Sequence, residues 1–270
     1  TGGPARAERI NQSLAIACRE LGLAMGGGSQ RIALETANQS GSNRSIRECI
    51  GRQPLMANYG AINLAGLTHP SELSQIIEPL EADGLILHLN PMQEILQPHG
   101  DTDWQYVIDR INQVCEWSPI PVIVKEVGFG LDLESARLLR DAGVAVLDVA
   151  GRGGTRFDQI ERQLAVHGQR LPTASAFSDW GYSTVESLEL CASLVPKTAL
   201  WASGGIRHGV DVAKALCLGA GACGIGGAVL RAALDSPAAT IEFLQQMIFD
   251  IQVACYGCGI ASTDEFGKHN

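Results

Sequence analysis

The sequence contains no apolar run near the roughly 20 residues that a membrane-spanning helix requires. Its N-terminus also lacks the apolar core of a signal peptide, so the expectation is a soluble, cytoplasmic protein. There is no charge block and no low-complexity tract of the kind that marks disorder, and no linker divides the chain. Basic residues are in deficit: 20 Lys and Arg against 29 Asp and Glu give a net charge of -9. That balance argues against general binding to nucleic acid or to an anionic membrane, where a phosphate field needs a basic surface. An anionic ligand must then be met by a few local cations. The eight cysteines (Cys18, Cys49, Cys115, Cys191, Cys217, Cys223, Cys255 and Cys258) are not clustered at metal-ligand spacing and are read as reduced. Cys255-Tyr-Gly-Cys258 is a lone CxxC with no second pair, read as ordinary helix-end cysteines rather than a zinc or redox site. No internal repeat stands out, and no Ser-His-Asp pattern suggests ordinary hydrolysis.

What is present is an alternation. Apolar runs of strand length near 23 to 25, 54 to 58, 84 to 89, 121 to 125, 144 to 149, 198 to 202 and 222 to 226 alternate with amphipathic helix-length segments. Those segments lie near 7 to 21, 71 to 81, 104 to 117, 132 to 142, 183 to 194, 209 to 218 and 238 to 254, with a shorter one near 157 to 166. Repeated βα units over 270 residues, 46% of them apolar, predict an α/β fold and one domain over 1 to 270, a TIM (β/α)8 barrel. Seven strands are visible. The opening Thr1-Gly2-Gly3 looks like the glycine-rich end of a strand, so the first strand is expected to be missing.

Chemistry is concentrated at the carboxyl ends of these strands. His88-Leu-Asn90-Pro-Met-Gln93-Glu94 closes an apolar run with an imidazole, two amides and a carboxylate. A single Glu with water and ligand phosphate oxygens is a common way to hold magnesium, whereas the bland alternative is a capping turn in which Asn90 and Gln93 satisfy backbone groups. Lys125, after Pro121-Val-Ile-Val, is expected at the barrel mouth. It could neutralise the anionic edge of a flavin, form a Schiff base or pair with Glu126. Ser203-Gly204-Gly205-Ile-Arg207 and Gly224-Ile-Gly226-Gly227-Ala228 follow consecutive strands, the usual phosphate site of such a barrel. Arg31, after Gly28-Ser29-Gln30, offers a planar fork for phosphate, and Thr155, after Gly151-Arg152-Gly153-Gly154, is a further donor. The long polar connection 152 to 182 suits a binding loop.

These motifs, together with Ala57-Asn58-Tyr-Gly60, Val124-Lys125-Glu126-Val-Gly128 and Asp179-Trp180-Gly181, resemble the type 2 isopentenyl diphosphate isomerases, flavoenzymes with a TIM-barrel fold. The resemblance runs through nearly all of the chain. Its specific part is the His-Leu-Asn to Gln-Glu segment, because the glycine loops are shared with other FMN barrels. It implies that Thr1, Asn58, Lys125, Thr155, Gly204, Gly205, Arg207, Gly227 and Ala228 line FMN, with Lys125 at the pyrimidine edge. It implies Arg31, His88 and Asn90 around the substrate, Gln93 beside the reacting carbons and Glu94 on Mg2+. The implied reaction interconverts isopentenyl and dimethylallyl diphosphate with reduced FMN, NADPH serving as reductant, in a homotetramer or homo-octamer. Gln93 is a poor acid or base and is assigned orientation and proton relay. The family's N-terminal Arg-Lys segment, with its following His, is absent from this sequence, and 255 to 270 diverge from the family pattern. Two other readings remain: an FMN-dependent 2-hydroxy acid oxidase, which should show a His-Gly-Gly-Arg element after the lysine strand, and a non-catalytic barrel that binds a phosphate ligand.

Overall fold

The computed structural model describes residues 4–31, 40–164 and 174–268. Among these residues seven strands form one parallel sheet in sequence order: β1 (Met25–Ser29), β2 (Leu55–Gly60), β3 (Gly84–Leu89), β4 (Val122–Glu126), β5 (Val146–Asp148), β6 (Leu200–Ala202) and β7 (Ala222–Cys223). The period of two along each strand separates two cores. Leu55, Ala57, Leu85, Leu87, Val122, Val124 and Leu147 point outward into the main core shared with the helices. Met56, Ile86 and Ile123 point inward and, with Val146 and Trp201, form a separate cluster inside the curl of the sheet. A sheet buried on both faces in this way, with a helix after nearly every strand, is the TIM-barrel architecture.

The open side lies between β1 and β7, where an eighth strand would stand. The helical layer spans it: Pro4–Leu21 packs against Ser40–Ile50 on one side and against Gly227–Asp235 and Pro237–Cys258 on the other. Ala15 and Ala17 of this helix are fully buried on different sides of it, as its packing between neighbours requires. No helix among the described residues is long and apolar enough to cross a membrane.

Three boundaries differ from expectation for physical reasons. The first strand is not Leu23 to Met25 but Met25–Ser29, so the glycine run is itself the strand. A Cβ on Gly26 would lie 3.3 Å from the Ile86 side chain, and one on Gly27 would lie 3.3 Å from the Met56 carbonyl. The helix expected over 71 to 81 is α-helical only over Pro70–Ile77 and tightens to a 3-10 turn at Glu78–Leu80, where Pro79 has no N–H to donate. The last helix runs on to Cys258 and ends at Gly259, whose φ of 68 is the left-handed cap glycine favours. Helices Ser40–Ile50 and Gly227–Asp235 were not expected.

Candidate active site

Strand register brings the inward residues into layers. Gly60, His88, Lys125 and Asp148 are successive register partners across β2, β3, β4 and β5, forming the uppermost inward layer at the carboxyl ends. Asn58, Ile86, Ile123 and Val146 form the layer beneath. Asn58 Oδ1 lies 2.7 Å from His88 Nδ1, so the amide oxygen accepts from the imidazole N–H and leaves Nε2 as the acceptor nitrogen. Burial, helped by the positive charges of Lys125 and Arg31, pushes the His88 pKa down to about 4, and the ring is neutral at pH 7. Arg31 follows the carboxyl end of β1, at the same mouth. Gly60 makes room for the ring: a Cβ there would lie 3.2 Å from His88 Nε2 and 2.5 Å from Asn63 Oδ1.

Lys125 donates to the Glu126 carbonyl at 2.8 Å, so the expected alternative of a side-chain pair with Glu126 is not what forms. The Glu126 carboxylate turns the other way. Its Oε2 accepts from the backbone N–H groups of Val127, Gly128, Phe129 and Gly130 at 2.5 to 3.2 Å, which folds the loop after β4 around it. Burial still pushes this carboxyl up to about 7, against the pull of those donors and of Lys125.

The segment after β3 forms a short helix, Pro91–Glu94, with Asn90 at its N-cap. The capping-turn reading fails here, because the Asn90 side chain makes no cap bond. Its Nδ2 donates instead to Glu94 Oε1 at 2.7 Å, and Glu94 Oε2 accepts from the Asp101 N–H at 3.0 Å. Gln93 Nε2 donates to Glu161 Oε1 at 2.7 Å, and Gln97 Nε2 donates to the same oxygen at 2.9 Å. Asn90, Glu94 and Glu161 are all buried. Asn90 Oδ1 is buried with no protein partner, an acceptor waiting for a donor or a cation. Among the described residues no three His, Cys, Asp or Glu side chains converge, so a protein-only metal cage is not built there. Glu94 and the Asn90 oxygen are hard oxygen donors of the kind that a divalent cation takes together with water and phosphate.

The glycine loops meet on the far side of the mouth. A Cβ on Gly154 would lie 2.7 Å from the Gly205 N, and one on Gly205 would lie 2.7 Å from the Gly153 carbonyl, so the loops after β5 and β6 touch backbone to backbone. Gly204 and Gly205 adopt φ values of 90 and 88, which side chains disfavour. Arg207 Nη2 donates to the Gly153 carbonyl at 2.6 Å, fastening the same contact. A Cβ on Gly227 would lie 3.4 Å from Thr155 Oγ1, and one on Gly128 would lie 2.9 Å from the Thr155 carbonyl, so Thr155 links the loops after β4, β5 and β7. Helix Gly227–Asp235 starts with no side-chain cap at Gly226, leaving its first N–H groups for an anion. Ala228 lies in its first turn. This donor-rich cradle of glycines fits a phosphate-bearing cofactor such as FMN.

Asn58, His88, Lys125 and the Asn90 to Glu94 set thus come together, as do Thr155, Gly204, Gly205, Arg207 and Gly227. Thr1 lies outside the described residues. Two carboxylates were missed: Asp148, whose signal is an acid inside an apolar run, and Glu161, which reaches Gln93 only through the fold.

The FMN-dependent dehydrogenase family matches residues 87–270. The isopentenyl-diphosphate delta-isomerase of Xanthobacter autotrophicus is 44% identical over 264 residues, 98% of this chain and 77% of that protein. The enzyme of that name from Nostoc is 41% identical over 270 residues, 100% of this chain and 77% of that protein. The chain belongs to the FMN-dependent dehydrogenase family, among the isopentenyl-diphosphate delta-isomerases. As an isomerase it keeps the fold of oxidases. The Pediococcus acidilactici lactate oxidase superposes with a TM-score of 0.66 over 96% of this chain and 69% of that one, at 16% identity. A mandelate oxidase variant does so with a TM-score of 0.64 over 95% of this chain and 72% of that one, at 20% identity. At such identities the likeness concerns the fold alone.

Proposed function

We propose that this chain is a type 2, flavin-dependent isopentenyl-diphosphate delta-isomerase, interconverting isopentenyl and dimethylallyl diphosphate by an allylic proton shift. The observation that carries the reading is the hydrogen-bonded network of Asn90, Gln93, Glu94 and Glu161, directly after the strand that carries His88, the register partner of Lys125. Such a shift adds a proton to one carbon and removes one from another on an apolar chain, so the site must supply acid and base while excluding water. Reduced FMN supplies a proton donor and acceptor at its N5 and N1 edge when bound, and NADPH serves only to reduce it.

The chain's own residues do the rest. Asn58, Lys125, Thr155, Gly204, Gly205, Arg207, Gly227 and Ala228, with Thr1, would hold FMN, the lysine supplying a cation to its ring and the loops donating N–H groups to its phosphate. Arg31 and His88 would meet the substrate with Asn90. Glu94 would hold Mg2+ against the diphosphate oxygens, with the unpartnered Asn90 oxygen beside it. Gln93 would orient the reacting carbons and relay a proton, with Glu161, hydrogen-bonded behind it, holding its amide in place. One FMN-binding barrel over residues 1 to 270, in a cytoplasmic homotetramer or homo-octamer, belongs to the same reading.

The test is anaerobic turnover of isopentenyl diphosphate in D2O with Mg2+ and reduced FMN. Dimethylallyl diphosphate carrying solvent deuterium at its new methyl group supports the reading. Loss of the reading follows from bound FMN with no product, or from oxidation of lactate or mandelate instead.

A further inference from the structure

One buried ionisable group on the inward face has no part in this reading. Asp148, 5% exposed, is the register partner of Lys125 and lies in the same layer as His88. Ser203 Oγ donates to its carboxylate, at 2.9 Å from Oδ1 and 3.0 Å from Oδ2. The Ala150 N–H reaches Oδ1 at 3.3 Å, in a turn where Ala150 adopts a φ of 38, unusual for a residue with a Cβ. Lys125 faces Asp148 from β4, Ser203 from the loop after β6 and Cys223 from β7. Burial and the nearby Asp148 charge push the Cys223 thiol up to about 12, so it stays neutral. Burial also raises the carboxyl of Asp148 itself, opposed first by Lys125 and then by Ser203. A carboxylate so deeply buried is costly unless a cation answers it. Lys125, its register partner on β4, is the cation whose field reaches it.

We propose that Asp148 is a positioning residue that balances the charge of Lys125 and thereby sets how strongly the barrel mouth favours the reduced form of its flavin. Its bonds to Ser203 and Ala150 fix the starts of the two glycine loops in the same stroke. This rests on the flavin reading given above. A bare ammonium beside the ring would stabilise added negative charge. A neighbouring carboxylate offsets part of that field and keeps the reduced flavin more reducing.

The experiment is a midpoint potential of the bound FMN, by dye equilibration at saturating FMN, in Asp148→Asn with and without Lys125→Met. Removing the anion should shift the two-electron equilibrium toward the reduced form about tenfold, about 30 mV. In the Lys125→Met background the buried acid loses the charge that keeps it ionised and takes a proton, so the same change should shift nothing. Equal shifts in both backgrounds, or none in the wild-type background, overturn the proposal. If Asp148→Asn does not fold, Ser203→Ala keeps the acid and its Ala150 contact but removes the serine's hydrogen bonds, which favours the protonated acid, and should give a smaller shift of the same sign. Absence of that shift overturns the proposal equally. A second readout needs no flavin. In FMN-free protein at pH 8, a small amine-directed reagent should modify Lys125 about tenfold faster in Asp148→Asn, with exposed Lys214 as internal control. Faster labelling in a protein that binds no FMN would sink the flavin reading and leave the charge coupling standing. Unchanged labelling would refute the coupling itself.

Discussion

Gln93 donates its side-chain amide to Glu161 across 2.7 Å, joining the helix that ends β3's loop to a helix 68 positions further along the chain. An amide is neither an acid nor a base near neutral pH, so its use at a site of proton transfer depends on what stands behind it. Here that is a buried carboxylate, which Gln97 also binds.

The first prediction follows from this pair. Glu161→Gln keeps the shape but removes the charge that holds the Gln93 amide, and should lower kcat about 100-fold with KM little changed and flavin absorbance intact. Steady-state kinetics of the purified variant measure this. A variant as fast as the parent would remove Glu161 from the reaction.

Glu94→Gln separates metal from flavin. Turnover should fall and the Mg2+ concentration for half-maximal activity should rise, while bound flavin colour stays. Loss of flavin in its place would mean that Glu94 acts at the cofactor and not at the metal.

Lys125→Ala should weaken FMN binding at least tenfold, read by fluorescence titration of FMN-free protein, because the cation at the inward layer is removed without disturbing the outward core. An unchanged affinity would take Lys125 out of the cofactor site.

Much of this was legible in the sequence, for a physical reason. Strands buried on both faces read as apolar runs, so Gly84–Leu89 and Val122–Glu126 stand out, and the polar residues that end them mark the mouth. Met25–Ser29 was misplaced because three of its five residues are glycine, which carries no hydrophobic pattern to read. Helix Gly227–Asp235 is hidden for a similar reason, since its glycine-led start reads as a phosphate loop. Asp148 was visible as an acid in an apolar run, yet only the register shows that it faces Lys125. Glu161 has no local signal at all: its partner is set by how two short helices pack together.

His88 gives a pH prediction whose sign can be worked out. Its folded pKa, about 4, lies below the ordinary histidine value near 6.5. Between these values the unfolded chain takes a proton that the folded ring refuses, so stability is lost as pH falls from about 6.5 to 4. The buried Glu126, raised to about 7, works in the opposite direction from pH 7 down to its ordinary range, so the comparison must be between wild type and His88→Gln. Denaturant midpoints should show the parent losing ground to the variant by up to about tenfold in folding equilibrium per pH unit in this window. Parallel pH profiles would contradict the assigned burial of the ring.

Gly60→Ala should disturb the same ring sterically. The added methyl would meet Asn63 Oδ1 and His88 Nε2, so a loss of about 1–3 kcal/mol in stability and a raised KM are expected, checked by thermal unfolding and kinetics.

The most direct measurement is the amount of dimethylallyl diphosphate formed from isopentenyl diphosphate, under anaerobic conditions with Mg2+, by the same protein sample holding oxidised and then reduced FMN. Product with reduced flavin and none with oxidised flavin is the predicted result. Equal product in both states, or none in either while FMN remains bound, would contradict the account.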